Sequence, residues 1–167
     1  WSDFCAVTLT MKQGRRHLTE HGSFVECLDE IAASRNLRHF MNRLNYRVYG
    51  KRFQRHKSAR LQVIPTFEYN KSSGLHFHLF LQTPDHISSE DYAELILSCW
   101  TKTPWGRNDK ERQRKGTKIK FERDTGSPLD NGWIDYIIED TYVREKHDEF
   151  TSRDFANVDQ ENLVFAG

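Results

Sequence analysis

Two alternating segments joined by a turn limit the fold more than any other feature of the chain. Over residues 61–69, Leu61, Val63, Pro65, Phe67 and Tyr69 alternate with Gln62, Ile64, Thr66 and Glu68, and residues 75–82 continue as an aromatic and aliphatic run. A period of two sends neighbouring side chains to opposite faces of a strand. Asn70, Lys71, Ser72, Ser73 and Gly74 between the runs are turn formers, so the whole reads as a β-hairpin and requires an antiparallel sheet. Pro65 has no amide proton to give to a ladder, which predicts an edge strand or a bulge there.

The rest of the chain supplies partners for that hairpin. Residues 4–11 are β-formers with apolar side chains on both faces, as a buried central strand would have. Ser23 precedes Phe24, Leu28, Ile31, Leu37, Phe40, Met41, Leu44 and Val48, a helical pattern that predicts one long helix, or two joined near Ser34, over 24–49. The basic segment 50–59 interrupts it. Ser88 or Ser89 is placed to cap a helix carrying Tyr92, Leu95, Ile96, Cys99 and Trp100, with Glu90 and Asp91 in the first turn and Thr103-Pro104 at the end. A loop over 105–116, a short strand at 117–123, a turn and a helix at 130–140 follow. This order gives an α+β class, a central antiparallel β-sheet with helices packed mainly on one face.

With 167 residues the chain holds one ordinary core, read as a domain over 1–142 and an acidic tail, or the start of a linker, over 143–167. The net charge of +1 hides a strong asymmetry: residues 1–134 carry 22 Lys and Arg against 15 Asp and Glu, whereas 135–167 carry 3 against 9. Within the basic body, Lys51, Arg52, Arg55, Lys57 and Arg60 form one dense run and Arg107 to Arg123 another, either able to follow a phosphate backbone. The alternative for any such run is a solvated loop. No apolar stretch approaches the roughly 20 residues that span a bilayer, and the first residues lack a signal-peptide pattern, so neither membrane insertion nor secretion is expected. The start at Trp1 suggests a domain excised from a longer protein. Cys5, Cys27 and Cys99 are odd in number, without metal-ligand spacing, and read as reduced, buried thiols.

The chemistry concentrates on the hairpin. In His76-Phe77-His78 both imidazoles share one face of the strand while Phe77 goes to the core. If residues 70–74 form the turn, Tyr69 pairs with Leu75 and Glu68 lies opposite His76, with Cβ atoms about 4.5–5.5 Å apart. Two imidazoles and a carboxylate leave open positions on a divalent cation, as it needs in order to polarise a phosphate oxygen, and Mg²⁺ or Mn²⁺ suits that role. A histidine pair on a sheet face is by itself a weak signal, and Glu68 in register strengthens it. The other histidines lack a partner at ligand spacing, and His21-Gly22-Ser23 falls at the expected helix start, which argues against a two-histidine phosphoesterase.

Thr8-Leu9-Thr10 on a first strand, Phe67-Glu68 and His76-Phe77-His78 on a central hairpin, and a tyrosine on a later helix together resemble HUH endonucleases, in the chain order of rolling-circle replication initiators. The metal motif is similar to that of parvoviral replication proteins, and the single tyrosine in Gly132-Trp133-Ile134-Asp135-Tyr136 to that of bacterial plasmid and phage initiators. The resemblance covers residues 4–142 and implies a ferredoxin- or RRM-like sheet. It also implies a tyrosine that attacks a specific DNA phosphodiester, leaving a 5′-phosphotyrosine and a free 3′-hydroxyl. Tyr136 is the expected nucleophile and Tyr142, with Lys146 four residues on, the alternative. The family's Tyr-x-x-Lys is broken here, because Glu139 stands where the lysine would be; Lys118 or Lys120 is placed to replace it.

The candidate DNA contacts are Thr8, Thr10, Lys51, Arg52, Arg55, Lys57, Trp105, Arg107, Lys118 and Lys120. Trp105, in a basic loop, is the aromatic best placed to stack on a base, whereas Trp100 lies on an apolar helix stripe and reads as core. The implied partners are single-stranded DNA or an origin hairpin, with a helicase domain or a host helicase as a further one. The implied setting is the cytoplasm for a phage or plasmid and the nucleus for a virus of a eukaryotic host. Competing readings are a single-tyrosine HUH transposase and a non-catalytic single-stranded DNA-binding module in which Glu139 marks lost activity.

Overall fold

Strand β1 (Phe4–Thr10) is the inner strand from which the sheet is built. In the computed structural model, which describes residues 3–56, 58–70, 74–107 and 118–121, it pairs antiparallel along its whole length with β5 (Gly74–Gln82). On its other side it pairs antiparallel with β6 (Lys118–Phe121). Strand β4 (Val63–Asn70) completes a four-stranded sheet in the order β4-β5-β1-β6. Pro65 therefore lies on an edge strand, where a missing amide proton is tolerated.

The register decides what each face of the sheet carries. Cys5 pairs with Leu81 and Leu81 with Val63; Leu9 pairs with Phe77 and Phe77 with Phe67. These rows form one apolar face, closed by Leu37, Phe40, Met41 and Leu44 of α1 (Glu30–Tyr49) and by Tyr92, Ile96, Cys99 and Trp100 of α3 (Ser89–Thr101). Phe40 and Trp100 meet edge to face with ring centroids 5.5 Å apart. Each such buried large side chain contributes about 1.5–3 kcal/mol. Both helices thus share one face of an antiparallel sheet, the expected α+β arrangement.

Local chemistry sets the helix ends. Asp29 caps α1, its carboxylate accepting from Ala32 N at 2.7 Å, and Gly50, at φ 62°, ends the helix by donating its N–H to Tyr46 O. Ser88 caps α3, accepting from Asp91 N at 3.1 Å. Buried Asn36 ties the two helices together: its Nδ2 donates to Thr103 Oγ1 at 3.0 Å and its Oδ1 accepts from Trp105 N at 3.1 Å. Trp100 Nε1 donates to Thr10 O at 2.9 Å, which locks α3 to β1.

Three expectations are corrected. The helix does not begin at Ser23: residues 14–27 form a second, two-stranded antiparallel sheet of β2 (Gly14–Thr19) and β3 (Gly22–Cys27), with Phe24 and Val25 exposed on β3. The spacing of Phe24, Leu28 and Ile31 imitates a helix stripe, but Ile31 is itself exposed and the buried stripe of α1 starts at Ala33. His21-Gly22-Ser23 accordingly belongs to a hairpin rather than to a helix start. Cys27, on that hairpin, is exposed, whereas Cys5 and Cys99 are buried as expected, and all three are free. A short helix α2 (Arg52–Arg55) lies within the basic segment that follows α1.

The helix expected at 130–140 and the acidic tail lie outside the described residues. No helix among the described residues is long and apolar enough to cross a membrane.

Burial raises the Cys99 thiol above its ordinary pKa, with Arg43, Arg47 and Lys102 opposing more weakly. Cys99 therefore stays protonated at mildly alkaline pH, as well as being shielded. Titration of the native protein with a chromogenic disulfide near pH 8 is expected to show one fast thiol, Cys27, with Cys5 and Cys99 reacting only after denaturation. Fast reaction of a second thiol would contradict this core.

Candidate metal centre

The face of the sheet turned away from the helices carries Glu68, His76 and His78. Glu68 is the cross-strand partner of His76, and Tyr69 of Leu75, as the turn over 70–74 predicts. The pleat that buries Phe67 and Phe77 among the core residues sends their neighbours to the other face. His78 pairs with Thr8 on one side and Thr66 on the other, and His76 with Thr10 and Glu68.

The three side chains converge. One carboxylate oxygen, Glu68 Oε2, lies 2.9 Å from His78 Nε2 and 3.3 Å from His76 Nε2, and the candidate ligand atoms all fall within 4.8 Å of one another. The two imidazoles stand nearly perpendicular, at 80°, with centroids 5.0 Å apart. Glu68 and His76 are buried, 8% and 4% exposed, so the Glu68 carboxyl group has largely left bulk water.

The hydrogen bonds behind the rings prepare the histidines as ligands. His76 Nδ1 lies 2.9 Å from Gly74 O. A carbonyl only accepts, so Nδ1 carries the proton, and the Nε2 of a neutral His76 turns a lone pair toward Glu68. A lone pair and a carboxylate oxygen at 3.3 Å repel each other unless a proton or a metal ion lies between them. His78 Nδ1 is 3.0 Å from Thr8 Oγ1. Because a hydroxyl both donates and accepts, Thr8 supports either His78 tautomer, including the one that frees Nε2 for a cation.

Gln13 holds the start of β5 in place. Its Oε1 accepts from Leu75 N at 2.9 Å, and its Nε2 donates to Leu75 O and Met11 O, both at 3.0 Å. Gly74 beside it has φ +70°, a backbone conformation that disfavours side chains, and a Cβ there would fall on the Gln13 carboxamide. The residue whose carbonyl orients His76 is thus fixed from two directions. No sequence signal pointed to Gln13, because its partner lies 62 residues away.

The other expected site residues are dispersed. Thr8 sits behind His78, and Thr10 is buried with its carbonyl accepting from Trp100 and from Arg107 N. Lys118 and Lys120 are the cross-strand partners of Thr8 and Ala6, so Lys118, Thr8, His78 and Thr66 occupy one row of the sheet. Trp105 is corrected as a base platform: it is 4% exposed, with the Arg15 guanidinium 5.2 Å from its ring centroid. Lys51, Arg52 and Arg55 are exposed at α2, which joins the helical layer through Tyr46 and Phe53, with ring centroids 6.4 Å apart. Lys57, Tyr136, Glu139, Asp140 and Tyr142 lie outside the described residues.

The arrangement is a group of three side chains able to hold a metal ion, backed by hydrogen bonds that orient both rings. No protein-family model, no curated protein and no solved structure matches the chain.

Calorimetric titration with Mn²⁺ is expected to show one site in the native chain. Glu68→Gln and His76→Ala should each abolish measurable binding, and Thr8→Val should weaken it by about tenfold, the low end of what loss of an outer hydrogen bond to a ligand costs. Unchanged affinity in Glu68→Gln would remove the triad as a metal site.

Proposed function

We propose that the chain is a metal-dependent endonuclease and strand transferase acting on single-stranded DNA at a replication origin. The observation that carries this reading is the convergence of Glu68, His76 and His78 on one point of a sheet face, with the motifs in the chain order of the resemblance drawn above. Mg²⁺ or Mn²⁺ is the proposed ion, since a carboxylate and two imidazoles leave room for phosphate oxygens among its ligands. When bound, it supplies positive charge that polarises the scissile phosphate and stabilises the departing 3′-oxygen.

The remaining work falls to the chain's own groups. A phenol, with a pKa of about 10, is a weak nucleophile until charge on the phosphate is neutralised. Tyr136 is the proposed nucleophile, with Tyr142 as the alternative. Its oxygen bonds to phosphorus as the phosphorus–3′-oxygen bond breaks; the phenol proton passes to solvent and the 3′-oxygen leaves as a hydroxyl after taking up a proton. The phosphotyrosine retains a phosphodiester, so the reverse attack by a 3′-hydroxyl rejoins a strand. Thr8 acts by orienting His78, and Gly74 and Gln13 by orienting His76. Lys118, in the same sheet row as His78, is proposed to supply the cation that the family's tyrosine motif carries and this chain lacks. A single-tyrosine transposase makes and breaks the same bonds, so the experiment below tests the chemistry common to both.

Incubation of the full chain with a labelled single-stranded DNA library and Mn²⁺, followed by denaturing electrophoresis and peptide mass spectrometry, should yield a covalent adduct on Tyr136. Tyr136→Phe should remove it, and Glu68→Gln should lower its yield by at least about 100-fold, within the range over which charge stabilisation of a transition state acts. An adduct on Tyr142 would move the nucleophile. The absence of any adduct from a chain that binds Mn²⁺ would replace this proposal with a DNA-binding module.

A further inference from the structure

The β2–β3 hairpin has no core of its own. All six residues of β3 and four of the six in β2 are exposed, and none of residues 14–27 belongs to the apolar cluster beneath the sheet. A two-stranded hairpin by itself is marginally stable in water. Its cross-strand contacts are those of a surface element: His17 stacks on Phe24 with centroids 4.8 Å apart, and Arg16 donates to Ser23 Oγ at 3.1 Å. Such an element opens locally at a free energy well below that of the core. At its base, Leu28 N donates to Gln13 O at 3.0 Å, and the Arg15 guanidinium lies 5.2 Å from the centroid of the Trp105 ring.

Gln13 is where that base meets the candidate metal centre. Its main-chain oxygen receives Leu28, while its carboxamide reaches the other way: Oε1 accepts from Leu75 N at 2.9 Å, and Nε2 donates to Leu75 O and Met11 O, both at 3.0 Å. The same carboxamide fills the space in which a Cβ of Gly74 would stand. Gly74 O in turn accepts from His76 Nδ1 at 2.9 Å. A chain of hydrogen bonds thus runs from Leu28 through Gln13 and residues 74–75 to a candidate ligand. Hydrogen bonds weaken steeply once distance and angle leave their range. Gln13 therefore cannot follow an opening hairpin and keep its three side-chain bonds.

We infer that the β2–β3 hairpin and the metal centre are coupled through Gln13: a cation held by Glu68, His76 and His78 closes the hairpin, and opening of the hairpin loosens the centre. The element with two states is the hairpin, closed or frayed, and both ends of the hydrogen-bond chain bias it. Coupling between two sites is reciprocal, so the factor by which the metal disfavours the open hairpin equals the factor by which opening lowers metal affinity. Gln13 is a positioning residue here, acting through Leu75 and Gly74 on the His76 ring. The inference concerns regulation of the site proposed above and rests on the metal-centre reading. It involves neither the tyrosine nor DNA.

The test is hydrogen exchange of the full chain, followed by mass spectrometry of its peptides, in EDTA and in saturating Mn²⁺. In wild type, peptides covering residues 14–28 should exchange about fivefold more slowly with the metal bound, the low end of coupling between two sites. Gln13→Ala keeps all three candidate ligands; in it, Mn²⁺ should leave exchange over 14–28 unchanged, and calorimetry should find the Mn²⁺ affinity about fivefold weaker, as reciprocity requires. Gln13→Met, of similar length and without the amide, serves if circular dichroism shows Gln13→Ala to be unfolded. In the reverse direction, His17→Ala/Phe24→Ala removes the stacked pair within the hairpin and should also weaken Mn²⁺ binding. A folded variant that binds the metal and no longer transmits it is a result that lost packing alone does not produce. Mn²⁺ binding with unchanged exchange over 14–28 in wild type would overturn the inference and leave the metal centre standing. So would a metal response that survives in the folded Gln13 variant, an equal slowing in the peptides of α3, or unchanged Mn²⁺ affinity in the folded hairpin variant. Absence of any Mn²⁺ binding by wild type would overturn both the inference and the metal centre.

Discussion

The pairing of Glu68 with His76 across the β4–β5 hairpin is the constraint on which the site depends. Side chains alternate along a strand, so a slip of one residue would carry the triad into the core and Phe67 and Phe77 out of it. The apolar partners therefore hold the candidate metal ligands in register: Phe67 against Phe77, with centroids 4.9 Å apart, and Leu79 and Leu81 in the rows beyond. Core stability and site geometry are two consequences of one pairing.

That pairing also gives the sheet two unlike faces. The core rows of the sheet face α1 and α3, and Thr8, Thr10, Glu68, His76 and His78 face the other way, on the same side as Phe4, Ala6, Ile64 and Phe80. In the reading proposed here, the polar face performs cleavage. The sheet that carries it is built on β1, which is paired on both edges. Residues that only connect the layers matter as much as those on the surfaces. Trp100 Nε1 reaches Thr10 O, and Asn36 joins α1 to the loop after α3, so both helices are tied near the end of β1 that neighbours His76.

The β2–β3 hairpin shows how local pattern misleads. Phe24 and Leu28 continue the three-and-four spacing of α1, but a helix needs a face to bury, and Phe24 instead stacks on His17 of the opposing strand, with centroids 4.8 Å apart. Glu26 adds a cross-strand ion pair with Arg15 and a hydrogen bond with His17 Nε2 at 2.8 Å. The cap at Asp29 decides where the helix begins, and Asp29 followed by Glu30 in the first turn was a signal available in the chain. Trp105 was misjudged for a related reason. Its basic neighbours suggested a surface, but Arg15 covers the ring from a strand ninety residues earlier.

Local periodicity by itself determined the hairpin, its register and hence the meeting of Glu68, His76 and His78, because alternation, a short turn and the pairing rules leave few other arrangements. It also indicated the inner position of β1, an edge or a bulge at Pro65, a cap for α3 at Ser88 or Ser89 and the core role of Trp100, and the structure chose the edge and Ser88. Only the tertiary structure decided that Gln13 clamps Leu75, that Thr8 stands behind His78 and that Trp105 is buried. Those contacts join residues far apart in the chain. They depend on how twisted strands and helices stack, which no window of sequence encodes.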